Sequence, residues 1–206
     1  MSDAYLMDQL MDTKNRLESL RDIDFDKLNF RDQIDYKFVE SILVGKEIVN
    51  EFHKPWKKDP RQYMKFRQIS NTINGPFTCE EKLTFLLEYL PVVVKDLEYG
   101  KLQITKYVPR FNELGLFMAK SSNDIFEVEI PKFLVTCSVK NLDFDNVELL
   151  LFQINKNLKE FTSFLEKEVP KLEVSSFSLG KEAYNKMLKY QLLLDYNDET
   201  LWEFGW

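Results

Sequence analysis

The chain has few of the residues that would reveal its chemistry directly. Its 206 residues include one histidine, two cysteines, six glycines and seven prolines. Two cysteines cannot supply the disulfide framework of a small secreted domain, so a reducing compartment is expected. So few glycines and prolines disfavour an all-β fold, which needs a turn about every ten residues. A single histidine excludes the conventional His-Glu-x-x-His zinc site from this chain.

Long hydrophobic runs are also missing. The longest, at residues 90–94 and 149–152, are far shorter than the roughly 20 residues that cross a bilayer. The first eight residues are acidic and amphipathic, unlike a secretory signal. A net charge of −6 and a pI of 5.1 disfavour a general nucleic-acid binder, which needs a basic face. We therefore expect a cytoplasmic protein that binds neither membranes nor nucleic acids.

The residues that are abundant favour helices. Hydrophobic residues make up 44% of the chain, which is enough to bury about 70% of its surface without disulfides. Leucine, lysine, glutamate and phenylalanine dominate the composition. We predict one all-α domain over residues 1–206, an antiparallel bundle of six to eight helices, with residues 100–145 the hardest to assign.

Apolar spacing and capping residues predict the helices of the first half. A helix over residues 3–20 carries an apolar stripe, and a second over 31–52 is expected to bury Ile34, Phe38, Ile42 and Ile48. The pair Asp59-Pro60 is expected to start a third helix that lasts to Asn74. Thr78 and Glu81 form a capping box before a fourth helix, which Pro91 should kink or split.

The second half is predicted from weaker signals. A helix follows Pro109, and residues 126–130 are either the start of a helix or a short extended piece. Asp143 or Asp145 is expected to cap the next helix, in which the inward residues are Leu149, Phe152, Leu158, Phe161 and Leu165. Another helix covers residues 179–193, and Asn197 begins a final helical turn.

Residues that could bind a metal have ordinary explanations. His53 is expected to be a surface or capping residue. Asp22, Asp24 and Asp26 imitate the opening of a calcium loop, but Lys27 and Gln33 stand where that loop needs glycine and glutamate. We interpret the three aspartates as a solvated connector.

The candidate nucleophiles and anion-binding residues also have ordinary structural explanations. Cys79, in the first turn of a helix, is expected to be the more reactive thiol, and Cys137 a core thiol. Residues 54–67 hold six cations among aromatic side chains, and a solvated helix face over buried aromatics is favoured over an anion-binding patch. No glycine-rich phosphate loop or nucleophile elbow is present. No catalytic, cofactor-binding or metal-binding residue is predicted.

Several segments, in order, are similar to motifs of one protein family. LNFRDQIDY at residues 28–36 resembles L-s-x-x-D-R-L-D-Y, and KPWKKDPRQY at 54–63 resembles R-P-W-x-x-D-P-x-x-Y. Residues 81–91 resemble a helix with R-L-x-x-L-P. LGKEAY at 179–184, followed by LWEFG at 201–205, resembles L-G-x-x-x-Y and T-x-x-E-L-x-x-x-G. Together they resemble the N-terminal half of the domain-of-unknown-function 885 family, whose members are proposed metallopeptidases.

The resemblance implies a helical lobe without the chemistry. The family's His-Glu-Ala-x-Pro-Gly-His motif lies in its C-terminal half and has no counterpart in this sequence, so no ligand or catalytic residue is transferred. In a full-length relative the lobe would form one wall of a substrate channel. The implied function is a metallopeptidase lobe that is inactive alone; a stand-alone interaction module is the alternative, and an enzyme using Cys79 or a carboxylate pair is the least favoured class.

The last residues predict a partner. Trp202, Phe204 and Trp206 lie within a short stretch, although chain ends are usually polar. Aromatic side chains are poorly placed in water, so we expect this tail to be buried in a groove or an interface. The expected partner is a second copy, forming a homodimer, or a separately encoded C-terminal half.

Overall fold

The computed structural model describes residues 3–137 and 144–205, and it confirms the predicted all-α helical bundle. None of the described helices is both long and apolar enough to span a membrane. The α-helices follow one another along the chain with these bounds: α1 Asp3–Arg21, α2 Phe30–Glu47, α3 Arg67–Ile73, α4 Cys79–Gln103, α5 Pro109–Ser121, α6 Ile130–Thr136, α7 Phe144–Lys167, α8 Lys181–Lys186 and α9 Asp198–Gly205.

Short turns of other helical types extend or link these helices. Wider π turns follow α2 at Ile48–His53, precede α6 at Ile125–Glu129 and follow α8 at Met187–Gln191. Tighter 3₁₀ turns occur at Phe25–Lys27, Pro55–Lys57, Pro60–Tyr63 and Val169–Lys171. Residues 126–130 therefore begin a helix, which was one of the two predicted alternatives.

The chain divides into two compact units. The first unit combines Met1–Lys54 with Ser176–Trp206, and the second is the continuous segment Pro55–Ser175. Each unit contains its own cluster of buried apolar side chains. The expectation of a single domain over residues 1–206 stays a prediction.

The second unit is built around α4 and α7. The predicted capping box is present, because Thr78 Oγ1 accepts from the Glu81 N–H at 3.2 Å and Glu81 Oε2 accepts from the Thr78 N–H at 2.8 Å. Helix α4 then continues through Pro91 without splitting. Apolar spacing predicts an inward stripe of Leu83, Leu86, Leu87, Leu90, Val94 and Leu97. Four of these are buried, while Leu87 and Val94 are half-buried and Val93 is buried in addition.

Helix α7 differs from its prediction in the first half. Leu158, Phe161 and Leu165 are buried as expected, but Leu149 and Phe152 are 55% and 69% exposed. In the first half of α7, apolar residues lie on all sides of the helix. Val147, Leu150 and Ile154 are the ones that face the core. Asp145 lies in the first turn of α7, while Asp143 lies outside the described residues.

The predicted third helix is wrong in its first half. Asp59 does cap a turn, since its side chain accepts from the Arg61 N–H at 3.1 Å, but the turn is a short 3₁₀ helix that ends at Tyr63. An α-helix resumes only at Arg67. The interruption lets Tyr63 and Phe66 both enter the core, where the Tyr63 hydroxyl donates to the Trp56 carbonyl at 2.7 Å.

The core of the first unit is smaller. It contains Leu17 of α1, three residues at the end of α2 and the start of its π turn, and partly buried side chains from residues 179–190. Helix α1 has its predicted bounds to within one residue, and Leu6 and Leu17 of its stripe are buried. The helix predicted over 179–193 is present as α8 and its π turn.

Candidate functional site

Helix α2 turns its apolar stripe outward, which reverses the prediction for Ile34, Phe38 and Ile42. These side chains are 54%, 64% and 43% exposed, and Phe30, one turn earlier, is 79% exposed. Of the four residues that were expected to face inward, only Ile48 is buried. Phe30, Ile34, Phe38 and Ile42 follow one another at intervals of four residues, and we refer to them as the α2 stripe.

The opposite face of α2 is buried although it carries acids. Leu43 and Val44 enter the core of the first unit, together with Glu40 and Glu47, which are 4% and 8% exposed. Glu47 accepts from Lys186 Nζ at 2.6 Å, while Glu40 accepts from Lys37 Nζ at 3.0 Å. These cations supply the partners that buried carboxylates require.

A shallow groove of about 410 Å³ runs beside the α2 stripe, within the first unit. Phe25 and Leu193 form its walls, with the stripe on the third side. Leu193 has a left-handed backbone conformation with φ of 56°, and Lys37 Nζ lies 5.2 Å from the centre of the Phe25 ring. The groove is mainly apolar, and together with the α2 stripe it is the candidate site.

Apart from Lys54, the predicted cationic patch of residues 54–67 belongs to the second unit, where two short 3₁₀ turns surround an ion pair between Asp59 and Arg61. Arg61 makes two hydrogen bonds of 2.8 Å with the buried carboxylate of Asp59, and this pairing raises the pKa of Arg61. The guanidinium also lies 5.0 Å from the centre of the Phe111 ring. Lys58 is 8% exposed, and burial lowers its pKa. Tyr63 and Phe66 are buried as expected and Trp56 is half-buried, but the predicted continuous helix face above them is not formed.

The two cysteines are not free thiols, so the predictions of a reactive Cys79 and a separate core thiol at Cys137 are wrong. They are joined by a disulfide whose Cα atoms are 5.8 Å apart, within the range of natural disulfides. The bond connects the first residue of α4 to the residue after α6. Periodicity could not predict this pairing, because 58 positions separate the two residues.

The remaining predicted polar residues do not come together. Asp22, Asp24 and Asp26 are exposed, and Asp24 pairs with Lys27 at 2.8 Å in the short turn that follows. His53 is the half-buried last residue of a π turn. Residues 3–137 and 144–205 contain no group of three histidine, cysteine, aspartate or glutamate side chains that could hold a metal ion.

The aromatic tail is exposed on its own chain. Asn197 begins α9 as predicted, since its side chain accepts from the Thr200 N–H at 2.9 Å. Trp202 and Phe204 are 66% and 75% exposed, so neither fills a groove of its own unit. Trp206 lies outside the described residues.

Comparison with known proteins identifies the fold. No family model and no curated protein matches this chain. A solved structure described as "a putative lipoprotein of unknown function from Shewanella oneidensis" is similar, with a TM-score of 0.80 at 18% sequence identity. The match covers 99% of this chain and 38% of that chain, so this chain spans well under half the length of its structural relative.

Proposed function

We propose that this chain is the helical N-terminal lobe of a longer metallopeptidase-like protein and is catalytically incomplete alone. The structural match supports only the lobe part of this proposal, because the whole fold corresponds to 38% of a longer chain whose function is unknown. The sequence resemblance points in the same direction, because its motifs belong to the N-terminal half of a family whose metal motif comes later. The lobe would contribute one wall of a substrate channel.

The segments that carry the resemblance have structural roles in the fold. Residues 28–36 form the capped start of α2, where the Asn29 side chain accepts from the Asp32 N–H at 3.0 Å. Residues 54–63 contain the 3₁₀ turn in which Arg61 pairs with Asp59. Gly180, in the segment 179–184, has a φ of 82°, a conformation that suits glycine and places the start of α8. The resemblance thus rests on residues that build a scaffold, as expected for a lobe.

The proposal predicts that the purified chain binds no stoichiometric zinc and hydrolyses no peptide bonds. Elemental analysis after dialysis and a peptidase assay with an unstructured protein substrate and added zinc test both parts. One tightly held zinc per chain, or zinc-dependent hydrolysis, would overturn the proposal. A neighbouring reading frame that encodes His-Glu-x-x-x-x-His would identify the missing half, and mixing the two products should restore both zinc and activity.

A stand-alone interaction module is the second candidate. The observation that favours it is the α2 stripe, which leaves four large apolar side chains exposed on one helix. Absence of a His-Glu reading frame near the gene would favour the module over the split enzyme.

A further inference from the structure

We infer that the α2 stripe is a dimer interface, in which α2 of one copy packs along α2 of a second copy about a two-fold axis. The inference concerns the first unit alone and holds whether or not the chain is a lobe of a longer protein. The stripe spans 13 residues, or about 20 Å of helix, and its four-residue spacing forms one of the ridges by which helices pack.

The exposed area matches what a small dimer needs. Phe30 and Phe38 are 79% and 64% exposed, and a phenylalanine side chain carries roughly 150–250 Å². With Ile34, Ile42 and Leu193, each about half exposed, the apolar surface on offer is on the order of 500 Å² per copy. Two copies would together bury about 1,000 Å², which is the lower bound for a specific interface.

Charges on the two sides of the stripe select the direction of packing. Successive helical residues are about 100° apart, so Asp35 and Lys37 lie on opposite sides of the stripe. If the two α2 helices run parallel, Asp35 of each copy faces Lys37 of the other. If they run antiparallel with the two stripes fully overlapped, Lys37 lies nearest to Lys37 and Asp35 nearest to Asp35. The parallel arrangement is therefore favoured.

Lys37 can bind Asp35 of the second copy in addition to its own Glu40. Its ammonium group donates to Glu40, yet its side chain is 43% exposed, and an ammonium has three donors. It also lines the groove with Phe25 and Leu193. In the parallel arrangement, the groove receives the phenyl rings of the partner's stripe. A self-complementary patch of this kind closes into a dimer without leaving a free copy of the same surface.

Sedimentation of the purified full chain with matched variants tests the inference. We expect a dimer at micromolar concentration, and Phe38→Glu should raise its Kd at least tenfold. The control is Phe117→Glu on α5, where the original side chain is 70% exposed but belongs to the second unit, and this variant should remain dimeric. Circular dichroism of each variant checks that the helices are kept.

A charge swap tests the direction of packing separately. Asp35→Lys alone should weaken the dimer, and adding Lys37→Asp should restore it, because each pair then has its signs exchanged. A wild-type monomer at high micromolar concentration would overturn the inference, as would a dimer that Phe38→Glu leaves intact or that Phe117→Glu disrupts equally. Failure of the double variant to restore association, with its helix content and melting temperature kept, would overturn the parallel arrangement.

Discussion

At the scale of single residues, Asp59 both caps a helical turn and pairs with a guanidinium group. Its carboxylate accepts from the Arg61 backbone N–H and from two guanidinium nitrogens while being 4% exposed. We predict that Asp59→Ala lowers the free energy of unfolding by about 2 kcal/mol, more than the roughly 1 kcal/mol of a lost cap, because Arg61 loses its partner. Asp59→Asn keeps an acceptor oxygen and should lose less. Urea unfolding measures both, and a neutral Asp59→Ala would contradict the pairing.

The capping box at Thr78 makes stability depend on pH. Hydrogen bonds from the Thr78 N–H and hydroxyl hold the pKa of Glu81 below its ordinary value of 4.5. The carboxylate therefore stabilises the fold fully above that value, and the contribution disappears as the pH falls through the lower folded pKa.

We accordingly predict that Thr78→Ala costs about 1 kcal/mol at neutral pH. The stability difference between the wild type and Glu81→Gln should shrink as the pH falls from neutral to about 3. Urea unfolding across this range checks both statements. A Glu81→Gln difference that stays constant into acid would mean that the carboxylate is not held by Thr78.

At the scale of elements, the contact between α4 and α7 depends on one missing side chain. A Cβ added at Gly100 would lie 2.7 Å from Phe161 Cε2 and 2.9 Å from Tyr63 Cγ, and both rings are buried. We predict that Gly100→Ala destabilises the protein by about 1–3 kcal/mol through overpacking. Gly205→Ala is the control, because nothing lies within 4 Å of its added Cβ. Equal melting temperatures for the two variants would contradict the tight packing.

Sequence patterns predicted the existence of helices better than the direction of their faces. Helix α4 was predicted in both respects, because a capping box and a single apolar stripe specify its start and its inward side. Helix α2 has an apolar stripe, but its buried side contains Glu40 and Glu47, which hydropathy assigns to solvent. Their partners Lys37 and Lys186 come from the same helix and from a segment 139 residues away, and the second cannot be inferred from local spacing.

The candidate site was missed for the same reason. Ile34, Phe38 and Ile42 were recognised as a stripe, yet a stripe records only that one side of a helix is apolar. Whether the same molecule covers it depends on tertiary packing. The groove walls Phe25 and Leu193 are distant in sequence and carry no motif.

At the scale of the whole molecule, the disulfide closes a long stretch of the second unit. Cys79 and Cys137 are 58 residues apart, and a cross-link of this span typically contributes about 2–4 kcal/mol by restricting the unfolded chain. We predict that a reductant, or replacement of both cysteines by serine, lowers the free energy of unfolding by that amount. Alkylation in denaturant should label neither cysteine before reduction and both afterwards; labelling without reduction would contradict the bond.

The division of the chain also has a consequence for biosynthesis. The first unit needs residues from both sides of Pro55–Ser175, whereas the second unit is continuous. At about 5–20 residues per second, a ribosome makes the intervening 121 residues in roughly 6–24 s. During that interval α1 and α2 have been synthesised without α8, and Leu43 and Val44 lack part of their cover. The growing chain therefore exposes the α2 stripe and part of the buried side of α2 at the same time.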